Sequence, residues 1–294
     1  MNGLGGANPE GVVAEDSLAP DAPVAPVMLP LLTGGLFRAD RYHFFPVLDS
    51  TNRYAALLAQ EGAEEGSVVV ADRQTEGRGR LGRSWSSPAG LNLYVSVVLR
   101  PAMRARDAAQ LTLLAGVALA HAVAALSVDG RPALLQPELK WPNDLLLQGR
   151  KVAGVLTEMR TCTERNERIR HVIVGIGVNV NGAPETFPEA LRDTAISLAT
   201  VARSPLDRSL FLAGLLAQLD RWYGRFCQDG FAPLRAEWLA CSRLVGQPVR
   251  IRLASENFSG QAMALDADGC LLVQRANGML TRVVAGDVLL PGER

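Results

Sequence analysis

Residues 77–85 read GRGRLGRSW, three glycines and three arginines around one leucine, ending on a tryptophan. Glycine lets a backbone adopt positive φ and approach a ligand closely, and successive N–H groups can then cradle an anion. Arginine adds a planar fork of donors matched to phosphate or carboxylate oxygens. Two readings stand side by side: a solvated basic tether of the kind that touches RNA, or a loop that closes over a negatively charged ligand and excludes water. The flanking apolar runs SVVVADRQ and LNLYVSVVLRP read as strands, so both ends of the loop are anchored, and long RG repeats are missing. The spacing GRGRLG fits G-x-G-x-x-G, yet it opens no helix and lacks a Lys-[Ser/Thr] ending, which excludes a dinucleotide fingerprint and a Walker loop.

Four further stretches carry polar chemistry. Ser50, Thr51 and Asn52 precede an apolar helical pattern; they are either helix caps or hydrogen-bonding groups for the edge of a polar heterocycle. Gln74 stands just before the loop. In KWPND, residues 140–144, a rigid Trp-Pro turn precedes Asn143 and Asp144, which either satisfy local backbone or hold a cation or a lysine. Lys151 opens the run KVAGVLTEM after a turn at Gln148-Gly149-Arg150, and it either snorkels to solvent or meets a negative charge in a cleft. GIGVNVN sets Asn179 and Asn181 beside glycines that permit close backbone approach.

These residues need a body to position them. The chain has 294 residues, 48% of them hydrophobic, with 30 Lys+Arg balancing 30 Asp+Glu. That length suits one large domain plus a small one, and the balance argues against a general nucleic-acid or membrane-surface binder. Four cysteines, Cys162, Cys227, Cys241 and Cys270, form no metal-binding spacing and read as reduced thiols of a cytoplasmic protein. No secretory signal opens the chain. The longest apolar run, residues 111–126, is shorter than the roughly 20 residues of a membrane span and contains His121, so a buried core helix opened by Asp107 is expected.

Residues 1–33 are rich in Gly, Ala and Pro and read as a disordered or loosely attached extension. Residues 34–241 read as a mixed α/β body with several hairpins, including two strands joined by the turn at 148–150, with WPND irregular before them. Residues 242–294 form a succession of short strands broken by DADG and ANG, which predicts a small β-barrel. The fold class is thus α+β.

In order, STN, Q-x-x-GRGRxGRxW, S-P-x-G-x-N-L-Y-x-S, KWPND, RKxAGxLxE and GxGxNxN resemble the biotin–protein ligases over residues 49–181, and the C-terminal β segment suits that family too. The resemblance implies a class II synthetase-like catalytic domain with an SH3-like C-terminal barrel. It implies that biotin and ATP, with Mg²⁺, give biotinyl-5′-AMP, and that a lysine of a biotin carboxyl carrier domain then takes the biotinyl group. It places Ser50, Thr51, Asn52 and Gln74 at the ureido end of biotin, and Arg78, Gly79 and Arg80 in a loop over biotin and the adenylate. Lys151 falls near the biotin carboxylate and activated phosphate, Asp144 beside that lysine, and Trp85 with Asn179 on the nucleotide side. No protein-held metal is assigned. Rival readings are a lipoate–protein ligase or octanoyl transferase, and a non-enzymatic RNA- or phosphate-binding module. Octanoyl transfer would want a pocket cysteine, and none of the four lies in these motifs. Some members carry an N-terminal helix-turn-helix; the short aperiodic front of this chain predicts no DNA binding.

Overall fold

The computed structural model describes residues 35–162, 168–253 and 255–292. The N-terminal extension lies outside the described residues. The first half comprises β1 (Tyr42–Leu48), α1 (Thr51–Gln60), β2 (Val68–Gln74), β3 (Leu93–Leu99) and α2 (Ala109–Ala124). A short hairpin of β4 (Ser127–Val128) and β5 (Arg131–Pro132) leads into β6 (Glu138–Lys140), β7 (Asp144–Leu147), β8 (Arg150–Thr161) and β9 (Ile169–Val178). Three helices follow, α3 (Leu198–Ala202), α4 (Arg208–Asp229) and α5 (Phe231–Ala240). The chain then builds β10 (Pro248–Arg252), β11 (Asn257–Leu265), β12 (Leu271–Arg275), β13 (Leu280–Val283) and β14 (Asp287–Leu289).

Seven strands form one sheet in the order β1-β2-β3-β9-β8-β7-β6. The first pair is parallel and the rest are antiparallel. Side chains alternate between the two faces, as the pleat requires. On β3, Leu93, Val95, Val97 and Leu99 join the large core beneath α2, α4 and α5. Val98 turns the other way, with Val69 and Ile173, onto Ala55 and Ala59 of α1. This second face also carries Ser96, Gly175 and Gly177, which face the cleft described below. A mixed sheet flanked by helices is the architecture expected from sequence.

Two local details differ from the sequence reading. Helix α2 starts at Ala109; Asp107 ends a preceding 3₁₀ turn, Ala105–Asp107. Turn and helix together run Ala105–Ala124, long and apolar enough by length and composition to cross a membrane, but most of that stretch is buried against the sheet and helices. A helix apolar all round belongs in a core when other elements cover it. WPND is not irregular: Lys140 pairs with Asp144, so KWPND is the tip of a β6–β7 hairpin containing a cis Trp141–Pro142 bond. The turn at 148–150 then joins β7 to β8, with Gln148 and Gly149 at φ 53° and 73°. Of the two readings left open for Ser50, capping is not realised: it is the N-cap residue of α1, but its side chain caps no helix N–H.

The C-terminal strands form a five-stranded antiparallel sheet, ordered β13-β12-β11-β10-β14, as expected for a small SH3-like β domain. Its interior residues Val249, Ile251, Leu271 and Val273 are continuous with the main core. Buried Trp141 donates through Nε1 to Gly269 O at 3.0 Å, tying the KWPND hairpin to the DADG turn. On the helical side, His121 Nε2 lies 2.8 Å from Glu237 Oε1, and burial beside that carboxylate pushes the Cys241 thiol up to about 11. Gly269 has φ +89°, and a Cβ there would lie 2.8 Å from Leu113 Cδ1 and 3.1 Å from Phe231 Cζ. Gly269→Ala therefore both strains the backbone and overpacks the seam between the small domain and helices α2 and α5. It is expected to cost about 1–3 kcal/mol, read as a lower urea midpoint.

Candidate active site

A cleft of about 970 Å³ opens on the α1 face of the main sheet, bounded by residues 77–85 and by the end of the small domain. Ser50, Thr51, Asn52, Gln74, Arg78, Gly79, Arg80, Trp85, Asp144, Lys151 and Asn179 all line it. Residues scattered over 130 positions of sequence thus converge on one cavity.

One end of the cleft is polar and closed. Ser50, Thr51 and Asn52 enter at the start of α1 and are only 1%, 4% and 4% exposed. Gln74, the last residue of β2, accepts through Oε1 from Thr51 N (2.9 Å) and Thr51 Oγ1 (3.1 Å), and donates through Nε2 to Ser87 Oγ (2.9 Å). Ser96 Oγ lies 2.8 Å from Thr51 Oγ1 and 2.7 Å from Asn52 Oδ1, one proton serving two acceptors. Asn52 Nδ2 donates to Leu156 O (3.2 Å) and to Glu158 Oε2 (2.8 Å). Buried polar side chains held in such a network are preorganised for a polar ligand edge and costly to leave facing an apolar one.

The other end is charged. Lys151 Nζ donates to Asp144 Oδ1 at 2.5 Å and lies 5.5 Å from the Trp85 ring centroid. Lys151 pairs with Leu146 on the β7–β8 hairpin, so its side chain shares a face with that of Asp144 two residues earlier on β7. The Trp85 indole rests on glycine. Gly154 and Gly177 face each other across β8 and β9, and a Cβ on Gly177 would lie 2.6 Å from the indole. Trp85 Nε1 is buried with no hydrogen-bond partner among the described residues.

The Arg/Gly segment is a short hairpin, not a tether. Trp85 N donates to Gly77 O (2.8 Å) and Gly79 N to Arg83 O (2.6 Å), with Leu81 and Gly82 at φ 56° and 74° forming the tip. Each arginine has its own acceptor. Arg78 pairs with Glu158 (3.0 Å); Arg80 donates to Asn143 Oδ1 (2.9 Å) and Gly286 O (3.1 Å); Arg83 donates to Asp287 (2.7 Å). Burial pulls the Arg80 guanidinium below its ordinary pKa, against the pull of Asp287 and Asp144; it still carries its charge at neutral pH, as arginine does in proteins.

Asn179 reaches the cleft wall, but its Nδ2 donates to Ile196 O (3.2 Å), the work of a strut. Asn181 does the same with Leu206, donating to its carbonyl and accepting from its N–H, both at 2.9 Å. Several site neighbours were not singled out from the sequence. Ser87 and Ser96 open and close the motif S-P-x-G-x-N-L-Y-x-S without having been given a role, and Gly286 with Asp287, which no motif covers, arrive from more than 200 residues away. The wall at 86–92 is held from behind by an ion pair: Arg208, 3% exposed, donates to Asp72 (2.8 Å) and to Asn92 O (3.1 Å). Among the described residues no cysteine lines the cleft.

The model of the biotin/lipoate A/B protein ligase family matches residues 44–179, and that of the biotin protein ligase C-terminal domain matches residues 244–290. The chain is 37% identical over 249 residues to the bifunctional ligase/repressor BirA of Bacillus subtilis, covering 85% of this chain and 73% of that one. It is 37% identical over 231 residues to the biotin–[acetyl-CoA-carboxylase] ligase of Paracoccus denitrificans, covering 78% and 92%. Its fold matches the biotin protein ligase from Aquifex aeolicus in complex with biotin and ATP with a TM-score of 0.68 at 29% identity, over 85% of this chain and 97% of that one. The cleft, the two sheets and these matches agree: the chain belongs to the biotin/lipoate protein ligase family.

Proposed function

We propose that this chain is an ATP-dependent biotin–protein ligase, with residues 34–241 as catalytic unit and 242–294 as the small domain. The carrying observation is the closed polar end of the cleft. Thr51, Asn52, Gln74 and Ser96 form a largely buried hydrogen-bonding set, with buried Ser50 beside them, that suits a ureido ring, with its carbonyl and two N–H groups. A dithiolane or an alkyl chain would leave the remaining donor and acceptor directions of those groups unpaired. That contrast favours biotin over lipoate, and the lack of a cleft cysteine among the described residues counts against octanoyl transfer.

With the ureido ring at that end, the valeryl carboxylate points toward Lys151. In the first step a carboxylate oxygen forms a bond to the α-phosphorus of ATP while the bond to the pyrophosphate oxygen breaks. Two anions must meet and charge grows on phosphoryl oxygens. Lys151, Arg80 and the loop N–H groups offset that charge, so positioning and electrostatics carry the catalysis. Asp144 orients Lys151. The Trp85 indole and its unpartnered N–H, with Asn179 behind them, form the nucleotide side, and Arg78 and Gly79 complete the roof over biotin. In the second step the neutral amine of a carrier-domain lysine attacks the acyl carbon of the mixed anhydride, AMP departs, and the amine proton passes to a base; Asp144 is the carboxylate at hand. Mg²⁺ enters with ATP. Such an ion takes one or two carboxylates besides phosphate oxygens, and Asp144, Glu189 and Asp193 are acidic groups lining the cleft; it supplies neutralisation of phosphate charge. ATP chemistry and four unpaired cysteines suit a cytoplasmic setting.

The defining experiment supplies purified protein with biotin, ATP and Mg²⁺ and follows pyrophosphate release, then labelling of a carrier-domain lysine. Lipoate should not replace biotin; an unmodified carrier would overturn the reading. Lys151→Ala should lower the adenylation rate by about 100-fold or more, measured in a single turnover. Arg80→Gly should release biotinyl-AMP faster and label bystander lysines; tight retention of the adenylate in that variant would deny the loop its role as a lid. Gly177→Ala, which drives a methyl into the Trp85 ring, should raise the KM for ATP by about 3–10-fold while biotin affinity holds.

A further inference from the structure

Glu158 is the last residue of RKVAGVLTE and does not line the cleft, yet its two carboxylate oxygens serve both parts of the biotin site. Oε2 accepts from Asn52 Nδ2 at 2.8 Å, at the polar end, and Oε1 pairs with Arg78 at 3.0 Å, in the roof. Resting on the ligase reading, we infer that Glu158 is a positioning residue that sets the hydrogen-bonding polarity of Asn52 and couples that polarity to the docked Arg/Gly loop.

The argument is one of donors and acceptors. An amide side chain can be turned either way, presenting oxygen or nitrogen with nearly equal ease, so its orientation must be imposed by its partners. An ionised carboxylate only accepts, so it can face Asn52 Nδ2 and never Oδ1. The second N–H of Nδ2 is taken by Leu156 O at 3.2 Å, which exhausts the donors. Oδ1 accepts from Ser96 at 2.7 Å and retains one further acceptor direction. Asn52 thus enters the cleft as an acceptor, the polarity that an N–H of a ureido ring needs. Gly175, opposite Leu156 on β9, makes the room: a Cβ there would collide with the Asn52 amide. The Arg78 guanidinium compensates the Glu158 carboxylate at the edge of a buried site, so a docked loop and a correctly turned Asn52 support each other.

Glu158→Gln is isosteric but brings its own amide, which faces either end of Asn52 and bears no charge for Arg78. Glu158→Ala removes both interactions. Calorimetric titration with biotin alone, without ATP, reads the first effect. Biotin should bind about tenfold more weakly to Glu158→Ala, and less severely so to Glu158→Gln. A biotin analogue methylated on a ureido nitrogen gives the readout that general loosening would not move. Its penalty relative to biotin should be large in the wild type and shrink about tenfold in either variant, because the acceptor that senses the missing N–H is no longer fixed. Both variants should also release preformed biotinyl-AMP faster, through the lost Arg78 contact. Thermal melting checks the fold, and the isosteric Gln variant carries the test if the Ala variant does not fold. Wild-type affinity, an undiminished methylation penalty and wild-type adenylate release in a folded variant would overturn the role of Glu158 alone. Failure of the wild-type chain to bind biotin would overturn the ligase reading and this inference with it.

Discussion

An indole can lie flat on a β-sheet only where the strands beneath it carry no side chains. Gly154 and Gly177 meet that condition as register partners on β8 and β9, and Gly175 extends the bare surface toward Asn52. Every other element of the site is built around this floor. The first turn of α1 and the end of β2 close one end with neutral hydrogen-bonding groups. Lys151 and Asp144 stand at the other, and the hairpin of residues 77–85 lies over the top. A single methyl at the right place on the floor would meet the indole or the Asn52 amide, which makes these glycines part of the chemistry as much as of the fold.

The electrostatics have a similar economy. The chain as a whole is neutral, so long-range attraction contributes little and the charges matter only where they are local. Arg78, Arg80 and Arg83 each have an acceptor in the protein, and Lys151 has Asp144. The cations therefore stand in place before any anion arrives. A phosphate or carboxylate entering the cleft competes for donors that are already ordered, and little entropy is lost in arranging them.

Much of this site was legible in the sequence because its residues sit in short segments with strong local identity. Glycine beside arginine between two apolar runs, a tryptophan-proline turn, and a lysine after a tight turn are local signals, and the residues named from them all reach the cleft. What stayed hidden was non-local. Asp287 and the Gly286 carbonyl meet the loop only because the small domain packs on the same core, and no spacing rule links positions 204 residues apart. Ser96 closes a motif that the sequence did show, but its role did not follow from that, because it comes from facing Thr51 and Asn52 of α1 across the sheet. The KWPND hairpin was missed because its tip is stabilised from outside, by the Trp141 indole bonding to Gly269. Asn179 shows the converse: a residue in the expected place whose amide is engaged with backbone.

The entry to β14 supplies both acceptors that hold the far side of the roof, a backbone carbonyl at Gly286 just before the strand and a carboxylate at Asp287, its first residue. The barrel is therefore a mooring for the hairpin as well as a packed neighbour. A change confined to this terminal module would leave the polar end of the cleft untouched and still free the guanidinium groups of Arg80 and Arg83 from the acceptors that moor them.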